Sequence, residues 1–258
     1  MIAGLNTDKR PSSPLATIYI QAGLLFLGAA ALLMVMYAPQ LVAPAKHNAM
    51  ILVLAHFVLL GFGTLITFGA LRQMIPVILG ESIQAAERAG RTSLVLLVPG
   101  VLTQASGFAV WEPWLVIIGG SMVVAGTITF SYPYALPLLR RLRRDVTALY
   151  ITFAILSVHL TVTVGVLLAL QLKSVWSIRL FWNGLPVHML LGVFGWFTGI
   201  IIGVSYKLFP MFTTSSAPAK HKTKRVFFLY YGGLAVATAA MWIGWYGGLI
   251  LGLAVVAV

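Results

Sequence analysis

The chain has 258 residues, of which 60% are hydrophobic and 9% charged, with a formal net charge of +12 and a mean hydropathy of +0.98. Such a chain is too apolar and too sparsely charged to cover a water-soluble surface, so its composition is that of a polytopic membrane protein. Cysteine is absent, which excludes disulfides, thiolate metal sites, iron–sulfur clusters and covalent c-type haem, and leaves His, Met and carboxylates as ligands.

A bilayer core of roughly 30 Å takes about 20 apolar residues to cross as a helix. Residues 1–14, MIAGLNTDKRPSSP, form a polar segment, and the apolar run that follows is longer than a signal-peptide core, so the first span is expected to be an anchor without a cleavable signal. Apolar runs of crossing length fall at 15–37, 48–76, 93–110, 113–137, 146–171, 185–210 and 226–246. An eighth, GGLILGLAVVAV from Gly247, stops after twelve residues. The expected fold is an all-α polytopic membrane protein of seven full transmembrane helices plus a partial eighth. It forms one transmembrane domain over 15–258, whose C-terminus reads as truncated.

Lysine and arginine partition between alternate loops. Lys9, Arg10, Arg88, Arg91, Arg140, Arg141, Arg143, Arg144, Lys220, Lys222, Lys224 and Arg225, with Arg72 and Lys207 at helix ends, fall on one side, against Lys46, Lys173 and Arg179 on the other. The positive-inside rule then places the N-terminus and the basic loops in the cytoplasm, with the protein in the cell inner (plasma) membrane. Six of the seven tryptophans, at 111, 114, 176, 182, 242 and 245, lie near the opposite ends of the spans, as an interfacial belt does. The positive charge reads as topology and anionic-lipid contact rather than nucleic-acid binding, because it is dispersed over short loops.

Spans two and six echo each other. HFVLLGFGTLITFGALRQMIP (56–76) and HMLLGVFGWFTGIIIGVSYKLFP (188–210) both begin with His, carry Gly seven residues later (Gly63 and Gly195), and carry Gly seven residues before a Pro. The two segments differ by two residues between His and Pro. Four spans separate them, which points to a four-helix repeat whose second helix does the same job in each copy.

Both helices run from outside to inside, so His56 and His188 share a depth, roughly 6 to 12 Å below the outer surface. An ionisable side chain inside a bilayer is costly and commonly marks a site, and neutral imidazole ligates haem iron and copper. Gly61, Gly63, Gly192, Gly195 and Gly199 lie on or beside the His-bearing faces, where they leave room either for a flat group or for a neighbouring helix.

On these residues the two helices resemble the His-Gly helices of the haem–copper oxidase subunit I superfamily, in particular its small and nitric oxide reductase-like relatives. The resemblance covers spans two and six, and the rest only by helix count and topology. It implies haem b as cofactor, with His56 at a low-spin haem-ligand position and His188 at a copper-ligand position. It also implies a respiratory electron donor or another respiratory-complex subunit as partner. The family's His-His pair on the seventh helix is missing from VFFLYYGGLAVATAAMWIGW (226–245), so a complete oxygen-reducing centre is not expected. His56 then needs as its partner His188, His159 or a helix missing from this sequence, and depth favours His188.

His159, in SVHLTVT near the midplane, reads first as a His bonded to nearby hydroxyls and second as a metal ligand. His47 beside Lys46, and Arg179 or Lys173, are positioned for a haem propionate or for interfacial snorkelling. Arg72 and Lys207, just before their prolines, read as snorkelling cations before lipid-phosphate or quinone-head-group binders. Nucleotide-binding and metalloprotease motifs are absent. An assembly or scaffold subunit and a cofactor-free transporter remain as alternatives.

Overall fold

The computed structural model describes residues 14–42, 49–172, 178–216 and 218–256. Lys9, Arg10, Lys46, His47, Lys173 and Trp176 lie outside the described residues, as do the side chains of Arg179 and Trp182. Every described element is helical: α1 (Leu15–Met36), α2 (Ala38–Val42), α3 (Ala49–His56), a π-segment (Phe57–Thr64), α4 (Leu65–Leu79), α5 (Ala86–Ala109), α6 (Pro113–Arg141), α7 (Val146–Leu172), α8 (Ile178–Leu190), a second π-segment (Leu191–Thr198), α9 (Gly199–Thr213), α10 (Lys220–Ile243) and α11 (Tyr246–Val256). Among the described residues, seven continuous helices are long and apolar enough to cross a membrane, including Ala49–Leu79 and Asn183–Thr213, each interrupted by a π-segment. The protein is an all-α, multi-pass membrane protein, and the shorter α11 covers the partial eighth span.

The chain divides into two compact units, the first ending at Tyr134 and the second running from Ala135, inside α6. Each unit has the four-helix content that the echo between spans two and six predicts, and contacts inside one unit recur at matching positions inside the other.

In the first unit α1 packs on the second span at two glycines. The Phe26 side chain occupies the place a Cβ on Gly61 would take, and a Cβ on Gly69 would lie 3.0 Å from that of Tyr19. In the second unit α7 does the same, with Ser157 2.6 Å from the corresponding point at Gly195 and Tyr150 against Gly203. In a bilayer, lipid is as apolar as the side chains, so association depends on such close contact at small residues.

The third and fourth helices repeat the pattern. A Cβ on Gly119 would fall on the backbone nitrogen of Gln104 and 2.6 Å from the Gly100 carbonyl oxygen. One on Gly252 would lie 2.5 Å from the nitrogen of Ala237 and 2.6 Å from the Gly233 carbonyl oxygen. The turns between these helices match as well: Trp111 (φ 53°) and Gly244 (φ 76°) both take positive φ. The next residue donates its N–H back to a helix carbonyl, Glu112 to Gly107 at 2.9 Å and Trp245 to Ala240 at 2.7 Å.

The cores differ in chemistry. In the first unit Phe68 and Phe130 stack with centroids 3.7 Å apart, flanked by Tyr19 and Tyr134. In the second, Tyr150, Phe227, Tyr230, Tyr231, Leu149 and Leu234 form one buried cluster.

Candidate functional site

Each unit carries its histidine near the π-segment of its second span. A π-turn widens the helix by one residue and is found frequently at functional sites. The two π-segments are alike in detail. Thr64 donates to the carbonyl of Leu59 at 3.0 Å and Thr198 to that of Val193 at 3.0 Å, both five residues back. Each π-segment leads into a fifteen-residue helix, α4 or α9, that contains a proline, Pro76 or Pro210. Those helices end in the same left-handed position, at Gly80 (φ 69°) and Thr214 (φ 51°).

This correspondence pairs Gly61, not Gly63, with Gly195, and it corrects the match drawn through the histidines. His56 is the last residue before the first π-segment. The residue in the same place before the second is Leu190, and His188 lies two positions earlier. Two residues are roughly 200° of helical rotation, so each ring meets a different neighbour within its own unit.

His56 is half-buried. Its Nδ1 lies 2.7 Å from the Leu52 carbonyl oxygen one turn back, and its ring packs on Phe108 of α5 with centroids 4.7 Å apart and planes tilted by 41°. His188, also half-buried, places Nδ1 2.8 Å from the Thr161 carbonyl oxygen on α7. Gly165 makes that reach possible, since a Cβ there would sit 3.0 Å from the imidazole Cε1. A carbonyl oxygen only accepts, so in both rings Nδ1 is the donor, and the neutral imidazole carries its lone pair on Nε2. Metal-ligating histidines commonly have this arrangement, with the N–H of the other ring nitrogen held by a carbonyl.

Of the glycines named with the histidines, Gly61, Gly192, Gly195 and Gly199 are packed against neighbouring helices. Besides Ser157 at Gly195, Thr161 Cγ2 is 3.2 Å from the Cβ point of Gly192, and the Tyr231 hydroxyl fills that of Gly199. The Gly63 carbonyl accepts from Thr67 at 2.8 Å. His159 is half-buried on α7, while the nearby hydroxyls of Ser157 and Thr161 donate to carbonyls one turn back. Among the described residues no three His, Asp or Glu side chains gather in a set that could hold a metal ion.

Arg72 differs from the snorkelling cation that its position near a helix end predicts. It is 1% exposed, donating through Nη1 to the Ala86 carbonyl at 2.6 Å and through Nη2 to Glu87 at 2.5 Å. Tyr19 donates to the Gly90 carbonyl at 2.8 Å beside it, and Arg72 occupies the space a Cβ on Gly90 would need. Lys207 is 3.5 Å from Asp145. His221 is exposed in its basic stretch.

Sequence reasoning missed Tyr230 and Tyr231, which donate to the second π-segment at the carbonyls of Phe194 (2.7 Å) and Gly195 (3.2 Å). The sequence signal for them is no more than a pair of hydroxyls inside an apolar span.

Comparison with protein-family models, with curated proteins and with solved structures finds no match to this chain.

Proposed function

We propose that this membrane protein binds haem b, with His56 in one unit and His188 in the other each a candidate ligand within its own unit, and serves electron transfer or respiratory haem–copper handling without a complete oxygen-reducing centre. The observation that carries the reading is the shared state of the two imidazoles: each sits beside a π-segment, with Nδ1 committed to a backbone carbonyl and the lone pair on Nε2. Haem would suit these isolated imidazoles better than a metal held by protein alone, because no three ligating side chains gather among the described residues and the porphyrin would supply the remaining donors. When bound, the group supplies one-electron chemistry. The chain's part is to hold the rings, through Leu52 and Phe108 for His56 and through Thr161 and Gly165 for His188. The resemblance of the two His-Gly helices to oxidase subunit I supports the same reading, with the basic loops in the cytoplasm.

The packed glycines favour a second reading, an assembly or scaffold subunit whose helices use those positions for contact alone. A dithionite-reduced minus oxidised spectrum of the purified chain, beside His56→Ala and His188→Ala, separates the two. The haem reading expects a b-type α-band that either substitution diminishes. No Soret band and no iron after expression with ample haem would defeat it and leave the scaffold reading.

A further inference from the structure

We propose that the basic end of the second unit is a docking site for anionic phospholipid headgroups. Two stretches distant in sequence form this surface: the end of α6 with its following turn, carrying Arg140, Arg141, Arg143 and Arg144, and the start of α10, carrying Lys220, Lys222, Lys224 and Arg225. They are joined directly, since Lys224 Nζ donates to the Arg143 carbonyl at 3.0 Å. All of these cations except the half-buried Lys224 are exposed.

Little of opposite sign on the unit balances them. Asp145 is the only acidic residue from Ala135 onward, and it is committed: Oδ1 accepts from the backbone of Thr147 at 2.8 Å, and Oδ2 lies 3.5 Å from Lys207. Like charges gathered this way repel one another, and Lys220 and Lys222 also oppose the positive end of the α10 dipole. An anionic layer offsets both costs.

The occupant is a lipid rather than a soluble anion because apolar side chains adjoin the cations on the same helices. Leu136 and Leu139 precede Arg140 and are 56% and 52% exposed, and Phe228 follows Arg225 and is 66% exposed. A phospholipid satisfies both zones at once, its phosphate on the basic residues and its acyl chains along the helix faces. Juxtamembrane Lys and Arg residues attract anionic headgroups in this way.

The test is lipid retention by the full purified chain, measured by native mass spectrometry after exchange into mixed micelles of phosphatidylglycerol and phosphatidylcholine. The wild type is expected to keep phosphatidylglycerol in preference. Replacing Arg140, Arg141, Arg143 and Arg144 by Gln lowers retention on the order of fivefold per residue removed, replacing them by Lys preserves it, and the control Arg88→Gln with Arg91→Gln leaves it unchanged. If the glutamine variant does not fold, raising salt from about 0.1 M to about 1 M should release the lipid from the wild type, because screening shortens the electrostatic range about threefold. Equal retention of the two lipids, salt-independent retention, or inorganic phosphate binding with no lipid preference would overturn the proposal.

Discussion

Trp111 and Gly244 occupy the same left-handed turn position in two separate four-helix units, with φ 53° and 76°. Glycine takes that conformation without penalty, whereas for a side-chain-bearing residue it costs roughly 1–2 kcal/mol. Gly244→Ala is therefore expected to lower stability by about 1 kcal/mol, and Trp111→Gly to be neutral or stabilising in the backbone despite loss of an interfacial ring. Thermal unfolding of the two variants in detergent checks the opposite signs.

Arg72 and Glu87 make an asymmetric pair, one nearly inaccessible and the other 36% exposed. Removing the carboxylate leaves a buried guanidinium without its charge partner, a loss of about 3 kcal/mol or more. Removing the guanidinium leaves a carboxylate that water and Arg91, 3.0 Å away, still satisfy. Glu87→Gln should therefore destabilise more than Arg72→Met in a denaturant titration. The reverse order would show that the pair contributes less than the packing of the arginine stem.

Gly232 and Gly252 should behave oppositely. Nothing lies within 4 Å of a Cβ built on Gly232, while one on Gly252 meets the backbone of α10 at 2.5 Å. Gly232→Ala gains up to about 1 kcal/mol of helix propensity. Gly252→Ala forces α11 away from α10, and Gly119→Ala does the same to α6 and α5. Unfolding midpoints of the three variants test whether the two units share one packing rule.

The spans are legible in the sequence because hydropathy over about 20 residues is what a bilayer selects; five lie close to their expected limits, while the third and seventh helices begin earlier, at Ala86 and Lys220, with polar turns that hydropathy does not register. The repeat is legible only in outline. Matching the two halves through their histidines aligns Gly63 with Gly195, because sequence displays prominent residues but not the π-segments that set the register. Arg72 misleads for a related reason: its partner Glu87 lies beyond the turn after α4, and only the fold brings the start of α5 over it. The contacts of Tyr230 and Tyr231 with π-segment carbonyls depend likewise on the approach of α10 to the sixth span.

Gly165 gives a test of the imidazole orientation that leaves His188 itself unchanged. Its missing Cβ lets the ring reach the Thr161 carbonyl, and any added side chain must displace an imidazole 3.0 Å away. Gly165→Ala should weaken the Nδ1 bond, worth about 1 kcal/mol, and Gly165→Leu should break it. If His188 ligates haem, the leucine variant is expected to lose or shift the b-type α-band as His188→Ala does, while Gly28→Leu, at a position with open space around it, retains the band. A Gly165→Leu protein that stays folded with an unaltered spectrum would show that ligation does not depend on this orientation, and would remove the observation on which the haem assignment rests for His188.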